Sequence, residues 1–385
     1  MLRRTLFFLF SGLALTGSAQ LLNQGRLIYV KNTDLSVVGN FDNKGTVVNN
    51  GTLSLGGDWT NTGKYTAGTG TFILNGAVAQ NITHNKDSVF IWVLNGKGEK
   101  ILKDQAEILK ELRFNTAILT TQGGSVTVRS QGAITNASST AYVNGLLFRE
   151  GTGKKFYPIG KNGRYVPVTL ENIDGSSNLI LGFEAFEPNT GLPGLGVKSL
   201  SAKRFWQMTK RGNGTFNGSL ITLSLANDQD TSSPSDMIVA EALGADQKYR
   251  SIGQSAISTT NNPNITSSAL ITGSFFAVGV SELLDETSIF IPNAFSPAAT
   301  NPDDQSIKIY GDFLSSDDFE FQVFSKWGNI IFETHSLQEM RTVGWNGVGN
   351  ETSTDASLGV YTYVLRGKFL SGKSFTKNGT ITVLK

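Results

Sequence analysis

The sequence predicts an all-β chain with N-terminal β-solenoid-like repeats, a central β-sandwich and a C-terminal immunoglobulin-like β-sandwich. Three observations support this fold class. Glycine supplies 43 of the 385 residues, about 11% against the usual ~7%. Apolar and polar residues alternate in short runs, the period of a half-buried strand. A glycine-punctuated phrase is also repeated near the N-terminus, so we expect many short strands joined by tight turns.

The composition of the chain limits which partners it can bind and which covalent or metal cross-links can stabilise it. The chain has 33 basic and 31 acidic residues, a formal net charge of +2, and no clear basic cluster, so nucleic acid is not an expected partner. It has no cysteine, which excludes disulfides and thiolate metal sites. Its length exceeds what one hydrophobic core usually serves, so two or three domains are expected.

Residues 1–19 have the pattern of a cleaved signal peptide. Arg3 and Arg4 precede an apolar run from Leu6 to Leu15, and small residues lead to a cleavage site between Ala19 and Gln20. A transmembrane anchor is the alternative, but the apolar run is shorter than the ~20 residues that span a bilayer. We therefore expect an exported chain that is not membrane-spanning.

Residues 20–140 are predicted to form a β-solenoid-like repeat region. Residues 34–45 align with residues 52–63 at an offset of 18, and a weaker copy follows at 70–76. Repeats of this length suit stacked coils, because one coil buries its apolar side only against a neighbour; a plain β-meander is the alternative. Asn43, Asn61 and Asn75 would occupy corners, where asparagine tolerates left-handed backbone.

Residues 99–114 allow two interpretations. Their apolar residues, with interspersed lysine and glutamate, fit an amphipathic helix. The segments that follow alternate like further strands of the repeat, so extended structure is the prediction and one short helix is the alternative.

Residues 141–283 are predicted to form the central β-sandwich. Apolar runs at 205–208, 220–225, 237–240 and 275–280 are separated by polar loops. The phrases at 141–148 and 155–170 are similar to a module that recurs in large Bacteroidetes surface proteins, in which a solenoid-like segment leads into a sandwich.

Residues 284–385 contain the most specific sequence pattern. Residues 319–323 alternate apolar with polar, and glycines at 328 and 347 separate the apolar runs. Four phrases, at 291–297, 326–329, 345–347 and 358–363, resemble the gliding-motility-associated C-terminal domain, the type B sorting domain of the Bacteroidetes type IX secretion system. The resemblance implies an immunoglobulin-like sorting domain that docks on the outer-membrane machinery of that system.

The resemblance also selects ten residues of this domain: Pro292, Asn293, Phe295, Pro297, Trp327, Gly328, Trp345, Gly347, Gly359 and Tyr361. Prolines and glycines could simply fix turns and the aromatic residues could fill the core. Residues 298–304 depart from the glycine-rich loop of the family and keep only Asn301, Asp303 and Asp304 as oxygen donors. We also expect the last strand to pair on one side only.

The sequence predicts no catalytic residue and no cofactor. The two histidines, His84 and His335, are far apart and lack ligand spacing. Asp228, Asp230 and Asp236 are weak calcium candidates, but the glycine and glutamate of an EF-hand are missing, which favours a solvated loop.

The sequence therefore predicts an exported, non-enzymatic cell-surface protein, an adhesin or gliding-associated surface component. Its partners would be the type IX outer-membrane machinery and a surface glycan or protein ligand. An accessory subunit retained with the secretion or gliding machinery is the first alternative. A secreted polysaccharide-active enzyme is the second.

Overall fold

The computed structural model describes residues 20–225, 233–244, 248–260, 262–282, 289–311, 314–349, 357–369 and 373–385. Nearly all regular structure in these ranges is β, as predicted. The described helices are α1 (Leu337–Thr342) and two 3₁₀ turns, at Pro234–Asp236 and Pro302–Asp304. Ala19 and the rest of the predicted signal peptide lie outside the described residues, and Gln20 begins the first strand.

The N-terminal region is a β-solenoid of two parallel stacks. One stack runs β1-β3-β5-β8-β10-β12 and the other β2-β4-β7-β9-β11-β13, so successive coils contribute one strand to each. The strands are β1 (Gln20–Asn23), β2 (Leu27–Val37), β3 (Asn40–Asn43), β4 (Thr46–Leu55), β5 (Trp59–Asn61), β6 (Lys64–Thr66), β7 (Thr71–Leu74), β8 (Gln80–Thr83), β9 (Ser88–Leu94), β10 (Lys100–Leu102), β11 (Gln105–Phe114), β12 (Leu119–Thr121), β13 (Ser125–Val128) and β14 (Ala133–Thr135).

The repeat offset predicted from the sequence is the stacking register of the coils. Phe41 pairs with Trp59 and Leu35 with Leu53, each 18 residues apart. The side chains of Phe41, Leu53 and Trp59 are fully buried between the two stacks, as the period of two requires. The ambiguous segment is extended, in β10 and β11, which confirms the strand interpretation over the helix.

The prediction of left-handed corner conformations at Asn43, Asn61 and Asn75 was wrong. None of them is among the non-glycine residues with positive φ; that geometry occurs at Asn32 and Asn85, among others. Asn43 and Asn61 are instead buried at strand ends, where their amides bond to each other across coils. Asn75 is exposed and donates to the Ser54 hydroxyl at 3.0 Å.

The parallel stacking continues past residue 140, where the sequence placed the end of the repeats. β15 stacks on β12, and β18 on β15. β16 stacks on β13 and then pairs antiparallel with β21, so the solenoid sheet continues into the sandwich. The strands of this part are β15 (Val143–Asn144), β16 (Leu147–Glu150), β17 (Gly153–Tyr157), β18 (Ile159–Lys161), β19 (Arg164–Tyr165), β20 (Val168–Gly175) and β21 (Ile180–Phe186).

Two sheets form the central sandwich. One is the extension β21-β24-β31-β27-β28, and the other is β17-β20-β26-β30-β29. Buried residues of both, such as Phe183 and Trp206 against Leu170 and Leu223, belong to the same core as the solenoid. The remaining strands are β22 (Leu192–Pro193), β23 (Val197–Leu200), β24 (Phe205–Arg211), β25 (Phe216–Gly218), β26 (Ile221–Ser224), β27 (Met237–Ala242), β28 (Lys248–Ser251), β29 (Ala256–Ser258), β30 (Asn264–Thr266) and β31 (Phe275–Ser281).

The C-terminal module, residues 289–385, has a hydrophobic core of its own. Its sheet has the order β32-β36-β35-β33-β34, and a second layer with bridges such as Ile307–Trp345 packs on it. The strands are β32 (Ala294–Phe295), β33 (Glu320–Phe324), β34 (Ile330–Thr334), β35 (Gly359–Lys368) and β36 (Ser374–Val383). A hydrophobic core of its own is what an independently folding domain requires.

Candidate functional site

The C-terminal module is built around the buried side chain of Trp345. Its ring centroid lies 5.4 Å from that of Phe295 and 5.5 Å from that of Tyr361, both in edge-to-face geometry. This geometry is favourable because the positive edge of one ring meets the negative face of the other. The indole Nε1 donates to the Val348 carbonyl at 3.1 Å. Three residues selected from separate sequence phrases therefore form one aromatic cluster.

Gly347 brings the chain close to this cluster. Its φ of +91° is in the left-handed region, and a Cβ added there would lie 3.5 Å from Phe295 Cζ and 3.6 Å from Pro297 Cγ. Left-handed backbone costs an L-residue about 1–2 kcal/mol. Glycine is therefore favoured here by the turn, since a Cβ would make only ordinary van der Waals contacts.

The proline-framed segment closes one end of the last strand. The Thr382 N–H donates to the Asn293 carbonyl and the Leu384 N–H to the Phe295 carbonyl, both at 2.8 Å. The expectation that β36 pairs on one side only is therefore corrected, because β32 also pairs with its end. Pro292 and Pro297 flank β32, and proline lacks the N–H that would extend a ladder.

Tyr361 ties the start of β35 to the preceding loop. Its hydroxyl donates to the Ser357 carbonyl at 2.7 Å, and Gly359 opens the strand between these two residues. Eight of the ten sequence-predicted residues thus lie in or beside the same aromatic core.

Trp327 and Gly328 lie apart from that core, in the turn between β33 and β34. The Trp327 side chain is 78% exposed, and Lys326 Nζ lies 5.1 Å from its ring centroid. Gly328 supplies the positive φ of +84° at the turn. The interpretation that the aromatic residues fill the core therefore fails at Trp327. An exposed tryptophan on a tight turn suits contact with a partner, since tryptophan is enriched in binding hot spots.

The loop that departs from the family pattern is closed by its own side chains. Asn301 Oδ1 accepts from the Asp303 N–H at 3.2 Å and caps the 3₁₀ turn. The Asp303 carboxylate also pairs with Lys308 Nζ at 3.2 Å. These oxygens therefore have local structural partners.

His84 is a core residue of the solenoid. Trp59 Nε1 donates to its Nδ1 at 3.0 Å, and its ring lies 5.0 Å from that of Tyr65. Burial lowers the pKa of His84 to about 4, because the cationic form is poorly solvated there. At neutral pH the ring is therefore an uncharged packing group.

His335 belongs to a surface group on the C-terminal module with Glu320 and Glu333, whose ligand atoms lie within 4.8 Å of one another. Arg366 already pairs with the Glu320 carboxylate at 2.5 Å, so part of its negative charge is neutralised. Of the weak calcium candidates, Asp228 and Asp230 lie outside the described residues. Asp236 is half-buried and accepts from the Ser235 hydroxyl at 3.1 Å.

Comparison with known families identifies the C-terminal module. Residues 289–383 match the family model of the CHU_C Type IX secretion signal domain, over about a quarter of the chain. No curated protein matches the chain. Within the described ranges, no helix has the length and apolar character needed to cross a bilayer. The match supports export through type IX secretion to the surface or medium, and it implies contact with the secretion machinery.

Proposed function

We propose that this chain is a non-enzymatic surface adhesin that its C-terminal module delivers to the cell exterior. The observation that carries the proposal is the signal domain at 289–383, attached to a passenger made of a solenoid and a sandwich. Stacked repeats of this kind present extended surfaces that commonly serve in binding. The passenger would bind a surface glycan or protein outside the cell.

Delivery would proceed in two steps. The predicted signal peptide, residues 1–19, takes the chain across the inner membrane and is removed. The folded module then docks on the outer-membrane machinery. The exposed Trp327 on the β33–β34 turn is the contact that we assign to this docking step, whereas Trp345 and Phe295 stabilise the fold.

The two histidines argue against a histidine-based active site in the passenger, whereas a polysaccharide-active enzyme would use a pair of carboxylates. His84 is fully buried and accepts from Trp59, so its imidazole cannot reach a substrate. His335 lies within the signal module and not in the passenger sequence. Histidine is the commonest general acid or base, and neither copy is placed for that task in the passenger.

A reporter experiment tests the delivery step. A fluorescent protein is placed between the signal peptide and residues 284–385 and is expressed in a type IX-competent host and in a secretion-defective mutant. We expect surface or medium fluorescence only in the competent host. The same reporter without the module is the control. Periplasmic retention of the complete fusion in the competent host would contradict the proposal.

The adhesin role is tested separately with cells that lack the gene. They should attach less to glycan-coated or protein-coated surfaces than the parent does, and complementation should restore attachment. Release of shortened glycan by the purified chain would contradict its non-enzymatic character. Stoichiometric co-purification with the translocon would favour the accessory-subunit alternative.

A further inference from the structure

A cleft of about 1030 Å³ lies where the last coils of the solenoid meet the sandwich. Three separate parts of the chain form its walls: residues 137–139 of the solenoid, residues 163–165 of the β18–β19 hairpin, and residues 262–264 at the start of β30. Its volume is just above the ~300–1,000 Å³ typical of small-molecule sites. The cleft therefore has room for a ligand larger than one sugar ring.

The floor of the cleft is the outer face of the sheet β17-β20-β26-β30. Phe156, Thr169, Thr222 and Thr266 are paired in register across these four strands. Strand alternation turns their neighbours Val168, Leu170 and Leu223 into the core, where they are fully buried. The outer face therefore carries hydroxyls beside one aromatic ring, together with the Glu171 carboxylate, which pairs with Lys154 at 2.8 Å.

The hydroxyls of this row differ in how they are engaged. Thr222 Oγ1 donates to the Glu171 carboxylate at 2.8 Å. The hydroxyls of Thr222 and Thr266 also lie 2.8 Å apart. Because the Thr222 proton is already used, Thr266 is the donor in this second hydrogen bond. Within the described residues, the hydroxyls of Thr169 and Ser224 have no hydrogen-bond partner. They can each donate and accept with a ligand.

The lining indicates an uncharged ligand. Among the lining residues that the structure describes, Arg164 is the charged one, and it is already engaged in an interaction within the chain. Phe156 is 39% exposed at the edge of the floor, and the Tyr165 ring packs on Tyr142 at 5.6 Å in the wall. An aromatic ring beside the hydroxyls of Thr169 and Ser224 matches the apolar C–H face and hydroxyl rim of a sugar.

The floor also argues against a peptide. An extended peptide binds by adding a strand at a sheet edge, where free backbone groups are exposed. A sheet face presents side chains only, because its backbone groups are bonded within the sheet. Hydroxyl groups around a sugar ring can be satisfied by side chains such as Thr169 and Ser224.

We propose that the cleft between the solenoid and the sandwich binds an uncharged oligosaccharide, with Phe156 under a sugar ring and Thr169 and Ser224 bonded to its hydroxyls. This inference deepens the adhesin role proposed above and rests on it. The ligand chemistry is shared by a free polysaccharide and by a glycan attached to protein, so the test presents both forms.

Calorimetric titration of the chain from Gln20 to Lys385 tests the proposal. The probes are hexasaccharides of β-1,4-glucan, β-1,3-glucan, α-1,4-glucan, β-1,4-xylan and β-1,4-mannan, each used free and coupled to albumin. We expect binding of at least one probe, unchanged between 50 and 500 mM salt because an uncharged ligand is not screened. Preference for the coupled form would identify a protein-linked glycan as the source.

Two variants locate the site. Phe156→Ala should weaken binding about tenfold through loss of ring contact. Thr169→Val should also weaken it without unfolding the chain, because that hydroxyl has no partner within the described residues. Phe290→Ala, which removes an exposed ring from the C-terminal module, is the matched control and should bind normally.

Binding that survives both cleft substitutions would overturn the proposal, as would failure to bind any probe. A strong salt dependence would also overturn it, because the ligand would then be recognised through charge. If no probe binds but the purified chain still attaches to cells, the oligosaccharide assignment fails and the adhesin role stands. If attachment is also absent, both fail.

Discussion

Asn43 Nδ2 donates to Asn61 Oδ1 at 2.7 Å in the interior of the solenoid. Asn23 donates to Asn43 in the same way at 2.7 Å, and Asn61 ends the series by donating to the Asp87 carboxylate at 2.8 Å. The three asparagines are almost fully buried. We call this series, Asn23 to Asn43 to Asn61, the asparagine ladder. It gives hydrogen-bond partners to polar groups in successive coils that would be costly to bury alone.

Replacing Asn43 by alanine should destabilise the solenoid. The change leaves Asn61 Oδ1 without its donor and removes one acceptor of the Asn23 amide, which still donates to a backbone carbonyl. Each unsatisfied buried group costs about 1–3 kcal/mol. We expect a loss of about 2–4 kcal/mol in the free energy of unfolding, measured by urea titration of circular dichroism. Asn75→Ala, which alters an exposed asparagine, should change it by less than about 0.5 kcal/mol. Equal effects of the two changes would contradict a special role for the ladder.

His84 should make the solenoid sensitive to acid. The folded state holds its pKa at about 4 against an ordinary 6.5, so the unfolded chain takes up the proton first as the pH falls. Stability is therefore lost from about pH 6.5 down to about pH 4, by about 3 kcal/mol in total. His84→Phe keeps a ring in the core and should remove this contribution from the pH dependence of unfolding. An unchanged slope would show that other groups cause it.

Trp345→Ala should unfold the C-terminal module. Truncating a buried tryptophan costs about 3–5 kcal/mol, and the rings of Phe295 and Tyr361 lose their shared partner. The thermal unfolding midpoint of isolated residues 284–385 should fall sharply, and the variant reporter should not be exported. A midpoint close to that of the parent would contradict the packing role.

Trp327→Ala should separate docking from folding. Because the side chain is 78% exposed, its loss should change the free energy of unfolding by less than about 0.5 kcal/mol. Export of the reporter should nevertheless fall, measured as the ratio of external to periplasmic fluorescence. Ile330→Ala, at an exposed residue just beyond the same turn, is the control. Normal export by Trp327→Ala would remove Trp327 from the docking surface.

Sequence periodicity is sufficient to predict the strands of the solenoid and their stacking register. The pairing of Phe41 with Trp59 follows from an offset visible in the sequence, because identical coils stack in register. The extended structure of β11 followed from its strand-like neighbours. The ten module residues came from ordered motifs, and eight of them lie in or beside one core.

Burial of polar groups and contacts between distant segments could not be predicted. Asparagine is common at corners, so the sequence predicts a left-handed turn at Asn43. The side-chain hydrogen bonds of Asn43 depend instead on the neighbouring coils. Tryptophan is large and apolar and is usually packed in a core, so the sequence alone does not predict the exposure of Trp327. Its position in the hairpin turn exposes it. The cleft unites Ser138, Tyr165 and Asn264, which no local pattern connects.

The pairing of Leu147 with Phe183 and of Glu150 with Ile180 has a mechanical consequence. Strand β16 of the solenoid and strand β21 of the sandwich are joined by backbone hydrogen bonds in one sheet, not only by a flexible linker. A pulling load applied to the N-terminal coils would reach the sandwich through several backbone bonds stretched together. In the adhesin proposed above, the solenoid and the sandwich would therefore carry load as one continuous sheet.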